Sequence, residues 1–312
     1  MKTFTLGQTA LTVPNIVAGM MRIANMDDAD IRALVNTAID QGITFFDHAD
    51  IYGGSLHRSE HRFADALQWT PAQRAEVILQ TKCGIVNVGP QGYFDFSHDH
   101  IIESVEASLA ALRTDYIDIL LLHRPDTLVE PEEVAQAFDE LESAGKVRNF
   151  GVSNHTPGQI ELLRKYVRQP LVANQMQLSM THSPLIAQGI AANILTQEQS
   201  VSRDNGLLDY CRLNGITIQA WSPFQAGFSN GVFLGNPEYP ELNAALERVA
   251  AKYGVTPMGI ATAWITRHPA NIQVVLGTTS PGRVKEAVAG SDIPLTRAEW
   301  YELFRMAGHM IP

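Results

Sequence analysis

Two cysteines, Cys83 and Cys211, are all that the 312 residues contain. That is too few for a disulfide framework and fits a reducing compartment. Charge is sparse as well. Asp, Glu, Lys and Arg make up 18% of the chain, below the ~25% of an ordinary globular domain, which argues against a coiled coil or an ion-laced surface. Positive charge is the scarcer sign: 23 Lys and Arg face 33 Asp and Glu, a formal net charge of −10. A protein that tracks nucleic-acid phosphates needs the opposite balance. Two long uncharged stretches, residues 169–197 and 213–237, are broken by Asn, Gln, Pro and Gly, so neither reads as a membrane span. The opening MKTFTLGQTALTVPN lacks the apolar centre of a secretory signal. Linker-like tracts and internal repeats are also missing. The expectation is a soluble cytoplasmic protein, residues 1–312 forming one domain, monomeric, with neither membrane nor nucleic acid as partner.

What is present is a large apolar content, 45%, arranged in an alternation. Near-continuous hydrophobic runs begin at Ile16, Ile43, Val77, Ile117, Val147, Leu171, Ile216 and Ile272. Runs of this kind suit parallel strands covered on both faces. Between them lie amphipathic segments read as helices: Asp28–Asp40, His57–Gln68, Asp99–Leu112, Pro131–Ala144, Pro157–Tyr166, Asn205–Asn214 and Glu241–His268, the last as two helices. Pro157, Pro131 and Pro281 stand where a first helical turn tolerates a missing N–H. Thr296 with Glu299 fits a capping box opening a C-terminal helix. Gly42, Gly145 and Gly215 are placed to end helices before strands. Together with a hairpin at about Phe4 to Val13, the pattern predicts an α/β fold, a (β/α)8 TIM barrel with an N-terminal β-hairpin and a C-terminal helix. An open doubly wound sheet is the weaker alternative, since no G-x-G-x-x-G or P-loop turn follows the early strands.

Barrel enzymes carry reactive groups at the carboxyl ends of their strands. Here those ends hold Asp47 and nearby Tyr52, then Lys82, then His123. A single polar residue there is most simply a cap; four on successive strand ends are harder to dismiss. Free Tyr, with a pKa near 10, is a poor proton donor at neutral pH. A Lys ammonium would lower that pKa, an Asp would keep the Lys charged, and a His could orient a carbonyl oxygen. Such a set protonates an oxygen on which charge is growing.

The segments FFDHADIYGGSLHRSE, TKCG, LLHRPD, GVSN, ANQMQLS, AWSP and VLGTTSPGRVKEA, in this order, resemble the aldo-keto reductase family, and within it the bacterial YdhF-like oxidoreductases. The resemblance implies an NADPH-dependent oxidoreductase that reduces aldehyde or ketone carbonyls by hydride transfer, with a tetrad of Asp47, Tyr52, Lys82 and His123 and with Tyr52 as proton donor. It implies that Ser153, Asn154 and Gln175 bind the nicotinamide carboxamide and that Trp221 stacks on the ring. Gly19 and Met20 would approach the cofactor through their backbone, and Ser222 would lie near the pyrophosphate. Gly277, Thr278, Ser280, Arg283 and Glu286 would serve the adenosine end. Arg283 could pair with a 2′-phosphate, although many members have Lys where Gly277 stands and Asn where Ala287 stands.

Rival readings come from other motifs. His57-Arg58-Ser59-Glu60-His61 fits H-x-x-E-H, and at i and i+4 two His could share a helix face as zinc ligands; the plainer reading makes Glu60 a structural hydrogen-bonding residue and the protein metal-free. His98-Asp99-His100 reads as a solvated helix start capped by Ser97. Arg124 and Asp126 either pair with each other or face substrate. Phe224, Phe228, Phe233 and Tyr93 line a pocket or pack beneath loops. Cys83 is read as a small buried hydrophobe. The alternative of another class is a nicotinamide-sensing subunit with slow turnover.

Overall fold

The computed structural model describes residues 1–86, 92–194, 198–227 and 231–312. Eight strands form a closed barrel: β1 (Ile16–Gly19), β2 (Phe45–Asp47), β3 (Ile78–Cys83), β4 (Ile119–Leu122), β5 (Phe150–Ser153), β6 (Leu171–Gln177), β7 (Thr217–Trp221) and β8 (Gln273–Leu276). Every neighbouring pair is parallel, and β8 closes on β1 with Val275 opposite Val17. This is the expected (β/α)8 barrel.

The two faces of each strand explain the unbroken hydrophobic runs. Ile16, Phe46, Leu79, Leu120, Val152, Ile218 and Val274 join the core shared with the surrounding helices. Their alternates point inward, as a period of two requires. Val17, Phe45, Ile119, Leu121, Val172 and Val275 form a second, separate cluster with Leu6 and Val13 of the N-terminal hairpin. That hairpin pairs Thr3–Thr5 with Thr12–Pro14 and is tied to the barrel by Gly7 N–H donating to Thr217 Oγ1 at 2.9 Å. Gly151 makes room inside: a Cβ there would come within 2.7 Å of Leu121 and 2.8 Å of the Ala173 carbonyl.

Helix termini follow the local signals. Asp28–Asp40 has the expected bounds, Pro131–Ser143, Pro157–Arg164 and Pro281–Gly290 open on proline, and the long segment splits into Pro240–Tyr253 and Pro257–Thr266. The C-terminal helix Arg297–Met306 has its Thr296/Glu299 capping box. It docks through Trp300, whose indole stacks on Trp264 at 4.8 Å while each N–H donates to the other's carbonyl (2.8 and 3.2 Å). Two helices were not anticipated, Pro71–Ala75 and Pro184–Ile190, nor was the small hairpin of Ile85–Val86 with Tyr93–Phe94. Thr70 and Gln73 form a capping box that the sequence does carry. Among the described residues no helix is long and apolar enough to cross a membrane.

Candidate active site

Asp47 ends β2, Lys82 lies one residue before the end of β3, and His123 follows β4, so barrel closure points all three toward one mouth. Tyr52 sits on the loop after β2, anchored by its own N–H donating to Ala49 O and by Ser59 N–H donating to its carbonyl (both 3.1 Å). Lys82 is wholly buried and is the hub. Its Nζ donates to Asp47 Oδ1 and Oδ2 at 2.7 and 2.8 Å, to His48 O at 2.7 Å and to Tyr52 Oη at 3.0 Å. The His123 ring meets Tyr52 edge-on with centroids 5.9 Å apart.

The electrostatics differ from the simple expectation in one respect. Burial raises the Tyr52 phenol above its ordinary pKa, and Asp47 and Asp50 raise it further; Lys82 lowers it but does not prevail. The reason is burial, the largest influence on the phenol, with Asp47 countering part of the ammonium's effect. Tyr52 therefore holds its proton at rest, and Lys82 favours the phenolate only once the proton leaves. Burial lowers the Lys82 pKa, yet Asp47 first and then Tyr52 outweigh it and keep it above the usual value. Burial, then Lys82 and Arg124, push His123 well below its ordinary pKa, so the imidazole is neutral.

Beneath the mouth runs an amide ladder that sequence reading missed. Gln80 Nε2 donates to Asp47 Oδ1 (2.6 Å) and to Gln219 Oε1 (2.9 Å), Gln219 Nε2 donates to Gln273 Oε1 (3.0 Å), and Gln273 Nε2 reaches Pro14 O of the hairpin (2.7 Å). Gln175 joins it, donating to Asp47 Oδ1 at 3.0 Å and Gln219 Oε1 at 3.2 Å. The signal was available: a lone glutamine interrupts each of the apolar runs VILQTK, ITIQAWS and IQVVLG.

The rim beside the tetrad holds further expected residues. Ser153 Oγ donates to Gln175 O (2.8 Å), Asn154 Nδ2 donates to Ser153 Oγ (2.8 Å) and His123 O (3.3 Å), and Trp221 Nε1 donates to Asn154 Oδ1 (3.1 Å). Asn154 and Ser222 adopt positive φ, 61° and 51°, a costly backbone for residues other than glycine that concentrates at functional sites. Gly19 and Met20 adjoin this group, with Met20 N–H donating to Asp47 O at 2.8 Å, while the Met20 side chain is buried. Gly277 to Glu286 form a separate arm past β8. Gly277 has open space where a Cβ would be, Ser280 caps the following helix by accepting from Arg283 N–H, and Arg283 is exposed; Glu286 lies farther along the same helix.

The H-x-x-E-H pattern is not assembled as a ligand set. His57 has φ 57° and precedes the helix, so it does not share a face with His61 as two helical residues would. It donates to Glu60 Oε2 at 2.6 Å, and Glu60, fully buried, also accepts from Thr81 Oγ1 at 2.6 Å, whereas His61 is exposed. Burial would raise the Glu60 carboxyl, but the His57 and Thr81 hydrogen bonds hold it below its ordinary value. Glu60 is thus the structural residue expected. Behind it Asp50 is buried with its pKa pushed up to about 7, by burial first and then by Glu60. Ser97 caps the helix at His98, as anticipated. Phe233 is core, Phe224 packs against core, Tyr93 is exposed, and Phe228 lies outside the described residues. Burial raises the Cys83 thiol well above its usual range, fitting an inert core residue.

The comparisons with known proteins agree with this architecture. The family model "Aldo/keto reductase family" matches residues 15–306. The chain is 37% identical to an uncharacterized oxidoreductase, YcsN, of Bacillus subtilis, over 97% of both chains. It is 36% identical to a 6-dehydroglucose reductase of Agrobacterium fabrum over 95% of both, and 34% identical to the oxidoreductase YdhF of Escherichia coli over 92% of this chain and 91% of that one. A crystal structure of a thermostable aldo-keto reductase with the inhibitor epalrestat superposes with a TM-score of 0.77 at 25% identity, covering 98% of this chain and all of that one. These relatives give the alternative of a cofactor-sensing subunit no support.

Proposed function

The chain belongs to the aldo/keto reductase family, oxidoreductases that act on carbonyls with a nicotinamide cofactor, and from that premise we propose that it reduces aldehydes or ketones to alcohols with NADPH, Tyr52 supplying the proton. The observation that carries the reading is the Lys82 ammonium held between the Asp47 carboxylate and the Tyr52 hydroxyl, 2.7 and 3.0 Å away.

The residues fit the cofactor. Ser153, Asn154 and Gln175 offer amide and hydroxyl groups on adjoining strand ends, and Trp221 offers an aromatic face. The helix opening at Pro281 presents free N–H groups and a positive dipole end to an anion, with exposed Arg283 able to pair bidentately with a 2′-phosphate and open space over Gly277. When bound, the reduced dinucleotide supplies the hydride that attacks the carbonyl carbon. As negative charge grows on the carbonyl oxygen, Tyr52 gives up its proton to it. The phenolate left behind is stabilised by Lys82 Nζ, which Asp47 holds charged and aimed. Neutral His123 donates a hydrogen bond that orients the carbonyl oxygen.

The test is the fall of reduced-nicotinamide absorbance with a panel of aldehydes and diketones. Tyr52→Phe should cut the rate at least a hundredfold, in line with the typical 10²–10⁴ contribution of a general acid, while reduced-cofactor binding, followed by fluorescence, persists. An unchanged rate removes Tyr52 as donor. Arg283→Ala should weaken NADPH more than NADH, and equal weakening of both removes the phosphate pairing.

A further inference from the structure

Arg124 follows His123 at the mouth of the barrel, and its surroundings set it apart. Among the described residues, the other arginines that are not fully exposed each have a partner: Arg62 pairs with Asp28, Arg74 with Asp118, and Arg267 donates to Leu295 O. Arg124, also partly buried, has neither a carboxylate partner nor a hydrogen-bond acceptor among the described residues. Asp126, two residues on, is otherwise engaged: its Oδ2 accepts from Phe96 N–H at 3.0 Å and its Oδ1 from Leu128 N–H at 2.8 Å. The company Arg124 keeps is aromatic, its guanidinium carbon 5.8 Å from the centre of the Trp221 ring.

A half-buried guanidinium is costly unless paired, because it cannot discharge at any ordinary pH. The charge inventory of the mouth sharpens the point. Lys82 has Asp47 against it and His123 is neutral, so of the described cationic side chains at this mouth Arg124 is the one that touches no carboxylate, in a chain whose net charge is −10. Its planar fork matches a carboxylate in a bidentate arrangement. Its guanidinium lies by Trp221 and is influenced by the Tyr52 oxygen, which puts it on the mouth where a substrate would enter.

We propose that Arg124 is the specificity-determining residue of this site and pairs with a carboxylate on the substrate, which is therefore an oxo acid or an aldehyde acid. The inference rests on the carbonyl-reductase reading and sharpens it. The experiment compares 4-carboxybenzaldehyde with benzaldehyde as substrates, and benzoate with benzamide as ligands, using NADPH and the full chain. The wild type should favour the carboxylated aldehyde at least tenfold in kcat/KM and bind benzoate at least tenfold more tightly than benzamide. In Arg124→Met both ratios should fall to near one, and Arg124→Lys should retain part of each. Equal kcat/KM for the two aldehydes in the wild type overturns the proposal and leaves the reductase reading standing. Turnover of neither aldehyde, with benzoate still preferred and that preference lost in Arg124→Met, sinks the reductase reading and keeps Arg124 as a carboxylate site. Loss of NADPH binding in Arg124→Met as large as the loss of benzoate binding overturns the proposal and assigns Arg124 to the cofactor.

Discussion

Replacing Asp47 by Asn removes one charge while keeping the shape of the side chain. In the native site the buried Lys82 ammonium has four acceptors, two of them the oxygens of Asp47. The variant offers at most one amide oxygen in their place and no carboxylate in contact with the ammonium. Breaking a buried pair in this way costs about 3–5 kcal/mol, against a total of about 5–15 kcal/mol for a natural protein. Asp47 is also the largest influence holding Lys82 charged against burial, so the variant's lysine sheds its proton at lower pH. A phenolate without that ammonium loses a charge-assisted hydrogen bond of about 1.5–3 kcal/mol, which lowers kcat by roughly 10- to 150-fold. Urea unfolding at pH 7 and NADPH consumption read the two effects separately. Adding Lys82→Met removes the stranded charge, so the double variant should recover most of the lost stability and none of the lost activity. A double variant less stable than Asp47→Asn alone, or a single variant with the wild-type urea midpoint, refutes the reasoning.

Three histidines, the buried His48 and His155 and the half-buried His268, have pKa values lowered to about 4, chiefly by burial. Their folded values lie below the unfolded value near 6.5, so each contributes stability that is complete above pH 6.5 and is lost as pH falls toward 4, at up to about 1.4 kcal/mol per pH unit. Urea midpoints measured across that range should fall with acid. Asp50 acts in the opposite sense: its folded pKa of about 7 lies above the unfolded value, so its contribution is complete below about pH 4 and is lost as pH rises through 7. Asp50→Asn should therefore steepen the acid loss, and an unaltered slope would show that Asp50 is ionised throughout. Gly290→Ala tests a helix crossing: its Cβ would fall 1.8 Å from the Gly259 carbonyl oxygen, backbone that cannot swing aside, so Pro281–Gly290 and Pro257–Thr266 must separate. A loss of at least 1–3 kcal/mol in unfolding free energy is expected, and a wild-type midpoint would contradict the close crossing.

Local physics made much of this molecule readable. Pro157, the Thr296/Glu299 box and unbroken strand runs each act within a few residues, so the helices and the parallel barrel were legible, as was the gathering of Asp47, Tyr52, Lys82 and His123. What was not legible depends on closure or on a single backbone angle. Gln80, Gln219 and Gln273 are far apart in the chain and meet because the barrel shuts. His57 leaves the helix face through one left-handed φ. The Tyr52 phenol is less acidic than its neighbour Lys82 alone would make it, because burial depends on everything packed around it. Arg124 and Asp126 do not pair, and the Asp126 carboxylate instead accepts from the backbone N–H groups of Phe96 and Leu128, an arrangement set by how the loops fold.

The glutamine chain under Asp47 has an implication for how the site resets. Carboxamides neither lend nor capture a net proton at ordinary pH, so the path from Pro14 up through Gln273, Gln219 and Gln80 is insulating. Water at the hairpin end gains no wire to the phenol along it. On the proposed reading, a hydrogen ion surrendered by Tyr52 is therefore not restored through this chain of amides.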